Sequence, residues 1–250
     1  MTPGRATHLC LDMTKKSLYP IVIVFDLDDT LYKEITFLRS AFEHILRTYN
    51  LSQHLDKFYQ IYQQGGDAFD WLITEHLQQT AKEDLVDLYR YHTPNINLSF
   101  DAHTTLLNLA LNPNVVLGLI TDGRTRTQLN KIISLGIDEF IKDDYIVISE
   151  RFGSSKPNPA NYQYFMEKIQ AEEYWYIGDN VQKDFVAPNR LNWKTICLMD
   201  DGNNIHSQNV NVDVIYQPQI QIHQLIELLP MVVRLLGNCP STGNPDLLRH

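Results

Sequence analysis

The chain is short of cysteine, of positive charge and of long apolar runs, and each shortage narrows what it can be. Its three cysteines, Cys10, Cys197 and Cys239, lie far apart without CxxC or zinc-site spacing. Three cannot all pair within one chain, so a disulfide framework is not expected and a reducing compartment is. Cys197, inside the apolar stretch TICLM, reads as a small buried hydrophobe. Lysine and arginine number 21 against 30 aspartates and glutamates, a formal charge of −9. General binding to nucleic acid or to an anionic membrane needs basic surface that displaces counterions, so neither partner is expected. The apolar run LYPIVIVF is too short to span a bilayer and is followed by aspartates, and no signal-peptide pattern opens the chain. Internal repeats, low-complexity blocks and heptads are missing as well. The expectation is a globular cytoplasmic protein, with its oligomeric state left open.

What is present is a 250-residue chain, 44% hydrophobic, sufficient for one sizeable core or for a core carrying a smaller insertion. Ile21–Phe25 is continuous, apolar and rich in β-branched residues, the pattern of a central strand covered on both faces. Similar runs recur at Val115–Ile120, Tyr145–Ser149, Tyr174–Asp179 and Lys194–Met199, with Val212–Tyr216 as a candidate sixth. Helix-like stretches at Thr125–Leu135, Pro159–Ile169 and Asp184–Leu191 alternate with them, and a last helix is expected over Gln219–Leu236, threatened by Pro230. Alternation of this kind predicts an α/β fold, a doubly wound parallel sheet. The first interval breaks the rule, because Lys33 to about Leu98 holds only amphipathic helical patterns. We read it as an all-helical cap of about four helices inserted after the first strand. The expected boundaries are 18–32 with 99–236 for the core, 33–98 for the cap, and 1–17 and 237–250 for flexible ends. Tyr59, Tyr62, Phe69, Trp71, Tyr89 and Tyr91 within the cap are assigned to packing, since so small a bundle needs aromatics for its own core.

The first strand runs into FDLDDTLY, which crowds Asp26, Asp28 and Asp29 together. In extended backbone, residues two apart point to one side, so Asp26 and Asp28 are expected to converge at the strand's carboxyl end while Asp29 turns away. Ligands of open α/β sheets bind at such ends. Paired carboxylates are costly unless a proton or a cation offsets their charge, and magnesium, which favours carboxylate oxygens, answers that cost. A calcium hand fails, because its sixth position would be Leu31 instead of glycine and its twelfth Phe37 instead of glutamate. Taken alone, the aspartates also suit a capped turn.

Three further stretches bear on the choice. In LITDGR, the Thr121 hydroxyl and the N–H groups around Asp122 and Gly123 suit a phosphate. In SSKPNP, Lys156 stands before a proline that restrains its loop. In IGDNVQKD, Asp179 ends a strand and Asp184 follows five residues on, as a helix cap or a helper. Arg124 reads as a surface residue.

In this order the four stretches resemble the motifs of the haloacid dehalogenase superfamily, in its phosphatase-like branch with a helical cap, over about Ile21–Tyr216. The resemblance implies a Rossmann-like core and magnesium-dependent phosphoryl transfer through an aspartyl-phosphate. It implies Asp26 as nucleophile and Asp28 as acid/base. Asp26, the Asp28 backbone carbonyl and Asp179 would hold Mg2+, with Asp184 and Thr30 supporting. Thr121, Asp122, Gly123 and Lys156 would bind the transferring phosphoryl group. Dehalogenase-type and phosphonate-cleaving members of the superfamily lack an acid/base aspartate at the position of Asp28, so its presence favours an oxygen leaving group. The expected activity is therefore hydrolysis of a small phosphorylated metabolite. A phosphomutase and a non-catalytic phosphate sensor are the alternatives.

Overall fold

Ile21, Val22, Ile23, Val24 and Phe25 are all fully buried, as a central strand with helices on both faces requires. The computed structural model, which describes residues 19–237, places them in β1 (Tyr19–Phe25). The other strands are β2 (Val115–Thr121), β3 (Ile146–Ile148), β4 (Ala171–Gly178), β5 (Lys194–Leu198) and β6 (Ile220–Ile222). All pairings are parallel and the spatial order is β3-β2-β1-β4-β5-β6, that of a Rossmann-like sheet. Phe25 lies opposite Leu119 of β2 and Ile177 of β4, so three strands end at nearly one level. The strand order reverses between β1 and β4, which opens a crevice beyond their carboxyl ends.

The helices are α1 (Glu34–Thr48), α2 (Leu55–Gln63), α3 (Ala68–Glu75), α4 (Lys82–Tyr91), α5 (Phe100–Ala110), α6 (Thr125–Ser134), α7 (Ser149–Phe152), α8 (Ala160–Lys168), α9 (Val186–Arg190) and α10 (Leu228–Gly237). Alternation along β1 divides the core. Ile21, Ile23 and Phe25 pack with Leu106 and Leu109 of α5, Ile132 of α6 and Leu228 of α10. Val22 and Val24 pack with Tyr162 and Phe165 of α8 and with Trp193. Gly118 of β2 lets α8 approach, since a Cβ there would lie 2.3 Å from the Phe165 ring.

Helices α1 to α4 all fall between β1 and α5, as the amphipathic patterns predict. In α1 the positions Leu38, Phe42, Ile45 and Leu46 form one stripe, and with Phe58, Leu72 and Leu85 they build a separate apolar cluster. Tyr59, Tyr62, Phe69 and Trp71 pack against it, and Tyr89 touches both this cluster and that of the sheet. Among the described residues no helix is long and apolar enough to cross a membrane.

Two expectations are corrected near the end of the chain. Val212–Tyr216 is not a strand: Val214–Tyr216 is a 3-10 turn with Val214 86% exposed, and the sixth strand is Ile220–Ile222. The last helix begins at Leu228, so Pro230 sits in its first turn, where no intrahelical N–H is lost. Gly237 ends that helix. The remaining terminal residues, with Cys10 and Cys239, lie outside the described residues, while Cys197 is buried in β5 as expected.

Candidate active site

The backbone after β1 curls at once. The Asp26 N–H still bonds the Ile177 carbonyl of β4 at 2.8 Å, but the Leu27 carbonyl accepts from Leu31 N–H at 3.0 Å and Asp29 takes a left-handed φ of 57°. Asp29 does turn away: its carboxylate accepts from the Glu34 N–H at 2.9 Å and from the Ile205 N–H at 2.8 Å, tying α1 to the loop after β5. The same curl ends the simple alternation from which Asp26 and Asp28 were expected to share one environment. Each is served by its own lysine.

Asp26 faces Lys156. The Lys156 ammonium, with its side chain wholly buried, lies 2.7 Å from Asp26 Oδ1, 2.8 Å from Asp184 Oδ1 and 3.1 Å from the Tyr176 hydroxyl. Burial alone would pull its pKa down, but Asp184 and Asp26 outweigh burial and hold the ammonium charged. Asp184 is fixed from its other oxygen, which accepts from the N–H groups of Asn180 at 2.8 Å and Asp179 at 3.2 Å. Gly178 makes this possible, because a Cβ there would meet Asp184 Oδ2 at 2.6 Å.

Asp26, Asp179 and Asp184 each present a carboxylate oxygen, all within 4.8 Å of one another and all buried. One buried lysine among three carboxylates leaves an excess of negative charge. Burial first, then Asp184 and Asp26, push the Asp179 carboxyl upwards; burial also raises Asp26 against the pull of Lys156. A divalent cation fits this donor set, since hard cations take carboxylate oxygens and relieve such crowding. Asp184 has its oxygens committed to Lys156 and to two N–H groups, which leaves Asp26 and Asp179 as the freer ligands. Thr30 Oγ1 stands 3.5 Å from Asp179 Oδ1.

Asp28, partly exposed, has a different shell. Its Oδ1 accepts from Lys131 Nζ at 2.7 Å and from the Tyr32 hydroxyl, and its Oδ2 accepts from Gln128 Nε2 at 2.9 Å. Burial works to raise this carboxyl, but Lys131 and the two further donors more than offset it and hold it below the usual carboxylate range. Gln128 Nε2 also lies 2.5 Å from Thr121 Oγ1, so one amide nitrogen joins Asp28 to the threonine at the end of β2. The rest of that turn is engaged elsewhere. The Asp122 carboxylate accepts from the Lys156 N–H at 3.1 Å and lies 3.4 Å from Lys183 Nζ. The Gly123 N–H, expected to be free, donates to Ser149 Oγ at 2.9 Å. Arg124 pairs with Glu150 at the surface, 3.0 Å apart.

Sequence reasoning missed Lys131, Gln128 and Asn204. The first two lie on the buried face of α6, where they resemble ordinary amphipathic spacing. Asn204 lies in the loop after β5, where its amide donates to Asp179 Oδ2 at 3.0 Å and accepts from Lys33 Nζ at 2.7 Å. The adjacency of Asp200 and Asp201 to Asn203 and Asn204 was the only signal, and it reads as turn chemistry.

A family model described as haloacid dehalogenase-like hydrolase matches residues 23–198. A glyceraldehyde 3-phosphate phosphatase of Methanocaldococcus jannaschii is 30% identical over 194 residues, which span 71% of this chain and 84% of that protein. The pyrophosphatase PpaX of Oceanobacillus iheyensis is 26% identical over 182 residues, 70% of this chain and 82% of that one. Among solved structures, the HAD-hydrolase YfnB of Bacillus subtilis, bound to magnesium, superposes with a TM-score of 0.61 at 22% identity, over 86% of this chain and 99% of its own.

Proposed function

The chain belongs to the haloacid dehalogenase-like hydrolases, and on that premise we propose that it is a magnesium-dependent phosphatase acting on a small phosphomonoester through a phosphorylated Asp26. The relatives named as phosphatase and pyrophosphatase support hydrolysis at a phosphoryl group, and the glyceraldehyde 3-phosphate phosphatase supports an ester in particular. The observation that carries the reading is the division of the two aspartates between two cations. Asp26 is paired with Lys156 inside the buried carboxylate cluster, and Asp28 is held by Lys131, Tyr32 and Gln128 next to Thr121. One carboxylate is thereby set beside the candidate metal site, and the other is linked through Gln128 to the Thr121 hydroxyl.

In this mechanism Asp26 attacks phosphorus, an Asp26 oxygen–phosphorus bond forms, and the bond from phosphorus to the alcohol oxygen breaks. Asp28 gives its proton to that departing oxygen. Water then attacks the phosphorylated Asp26, Asp28 takes the water's proton, and phosphate leaves with Asp26 restored. Asp28 enters the first step protonated and is ionised only between the two steps, a state that Lys131, Tyr32 and Gln128 favour, until the water's proton restores it. The approaching phosphoryl group supplies the opposite bias for the first, because neighbouring negative charge favours the protonated carboxyl. Lys156 and the Thr121 hydroxyl receive the phosphoryl oxygens. A magnesium ion held by Asp26, the Asp28 backbone carbonyl and Asp179, with Asp184 and Thr30 in support, would add charge neutralisation at those oxygens. Asp122 and Gly123 shape the turn through their bonds to Lys156 and Ser149. Residues 33–98 act as a cap over the crevice, and 18–32 with 99–236 form the catalytic core.

The test is phosphate release from a broad panel of phosphomonoesters with magnesium. Release is expected from at least one ester and is expected to vanish in Asp26→Asn. Release undiminished in Asp26→Asn overturns the reading.

A further inference from the structure

The loop after β5 is wound around one carboxylate. Asp200 Oδ1 accepts from the N–H groups of Gly202 at 2.8 Å and of Asn203 and Asn204 at 3.0 Å, which makes a tight turn with Gly202 at a left-handed φ of 95°. Gln208 closes the loop at its base: its Oε1 accepts from the Asp200 N–H at 2.9 Å, and its Nε2 donates to the carbonyls of Leu198 at 2.8 Å and Asp179 at 3.0 Å. Beyond the turn, the Ile205 N–H is held by Asp29. The backbone on both sides of Asn204 is thus anchored without help from the Asn204 side chain.

That side chain reaches Asp179 instead. Its orientation is fixed by Lys33, because an ammonium only donates: the amide oxygen must face Lys33 Nζ, 2.7 Å away, and the NH2 group then faces Asp179 Oδ2, 3.0 Å away. Lys33 is itself held by Asp201 of the same loop at 2.9 Å. Thr30 Oγ1 lies 3.5 Å from Asp179 Oδ1, too far for a strong bond. Among the described side chains, Asn204 therefore supplies the one short hydrogen bond that sets how the Asp179 carboxylate is turned.

The consequence appears when the oxygens of the candidate metal cluster are followed one by one. Asp184 has both engaged, Oδ1 by Lys156 and Oδ2 by the N–H groups of Asp179 and Asn180. Lys156 takes Oδ1 of Asp26, and Asn204 takes Oδ2 of Asp179. What is left is one oxygen from Asp26 and one from Asp179. A cation offered single oxygens, with its other positions open to water, matches magnesium, which demands a near-octahedral shell and keeps several waters. Calcium takes about six to eight oxygens and accepts both oxygens of one carboxylate.

We propose that Asn204 is a positioning residue of the metal site: by holding Oδ2 it presents Asp179 as a one-oxygen ligand, and so favours magnesium over calcium. The inference rests on the magnesium reading above. Its test is the Tm of the full chain titrated separately with magnesium chloride and calcium chloride, without substrate, which gives a Kd for each cation. Asn204→Leu, close in size and unable to form either bond, is expected to raise the magnesium Kd by about 10–100-fold, the usual worth of a partner behind a metal ligand, and the calcium Kd by less, so that the preference for magnesium falls by roughly tenfold. Asn204→Ala is expected to act in the same way and serves should leucine not fit this half-buried position. Asn203→Ala, at an exposed neighbour whose amide bonds Asp201, is expected to leave both constants unchanged. A side chain that only packs the loop would lower Tm without metal and leave the ratio of the two constants where it was. An unchanged ratio in both Asn204 variants, an equal shift in Asn203→Ala, or failure of both Asn204 variants to fold overturns the inference alone. A wild-type Tm that does not respond to magnesium overturns the magnesium reading and this inference with it.

Discussion

Asp26 and Asp28 stand two positions apart, yet one belongs to a buried cluster of carboxylates around Lys156 and the other to a partly open shell around Lys131. The acidic residues, Thr121 and Lys156 could be read from the sequence because each stands at a strand end or in a short loop with recognisable turn chemistry. Lys131 and Gln128 could not, since only the folded chain brings a helix face 100 or more positions away against Asp28. Their partnership has measurable consequences. Lys131→Met leaves the partly exposed Asp28 without its cation but with Tyr32 and Gln128 still bonded to it, and is expected to cost about 1–3 kcal/mol, to be read in urea unfolding. Asp28→Asn removes the proton carrier and is expected to lower kcat by roughly 10²–10⁴-fold, the usual worth of general acid–base catalysis, while the protein remains folded. A change of less than threefold in a steady-state assay would remove Asp28 from the mechanism, by the same about 10²-fold criterion.

The elements were legible where one pattern dominated. Continuous apolar runs gave β1, β2, β4 and β5 because a strand covered on both faces has no polar side to display. The long helical interval gave α1 to α4 because its apolar positions recur at helical spacing. Ile220–Ile222 escaped because three residues contain too little periodicity, and Val212–Tyr216 misled because its alternation faces solvent. The late start of the last helix depends on a distant residue: Asp101 of α5 accepts from the Leu225 N–H at 2.7 Å and the Ile226 N–H at 2.9 Å, fixing the turn before α10. That contact joins segments more than a hundred positions apart and has no local signature. Asp101→Ala is expected to destabilise the protein by about 1–2 kcal/mol, the cost of losing such a cap, with a matching fall in the denaturation midpoint.

At the scale of the whole molecule, the sheet gathers three acidic side chains from the ends of β1 and β4 and from the loop beyond β4. The excess of buried negative charge gives the fold a stake in a cation. Magnesium that binds only the native state at 100 times its Kd stabilises by about 2.7 kcal/mol, so chelation is expected to lower Tm and added magnesium to restore it. Asp179→Ala is expected to make Tm insensitive to magnesium; a full magnesium response in that variant would place the ion elsewhere.

The central claim is that Asp26 carries the phosphoryl group between ester and water. Its most direct test is mass spectrometry of the protein quenched during turnover of a good substrate with magnesium. The account predicts a phosphoryl adduct on Asp26 that forms in wild type during turnover and is absent from Asp26→Asn. Steady phosphate release with no adduct on Asp26, continuing in Asp26→Asn, would contradict it.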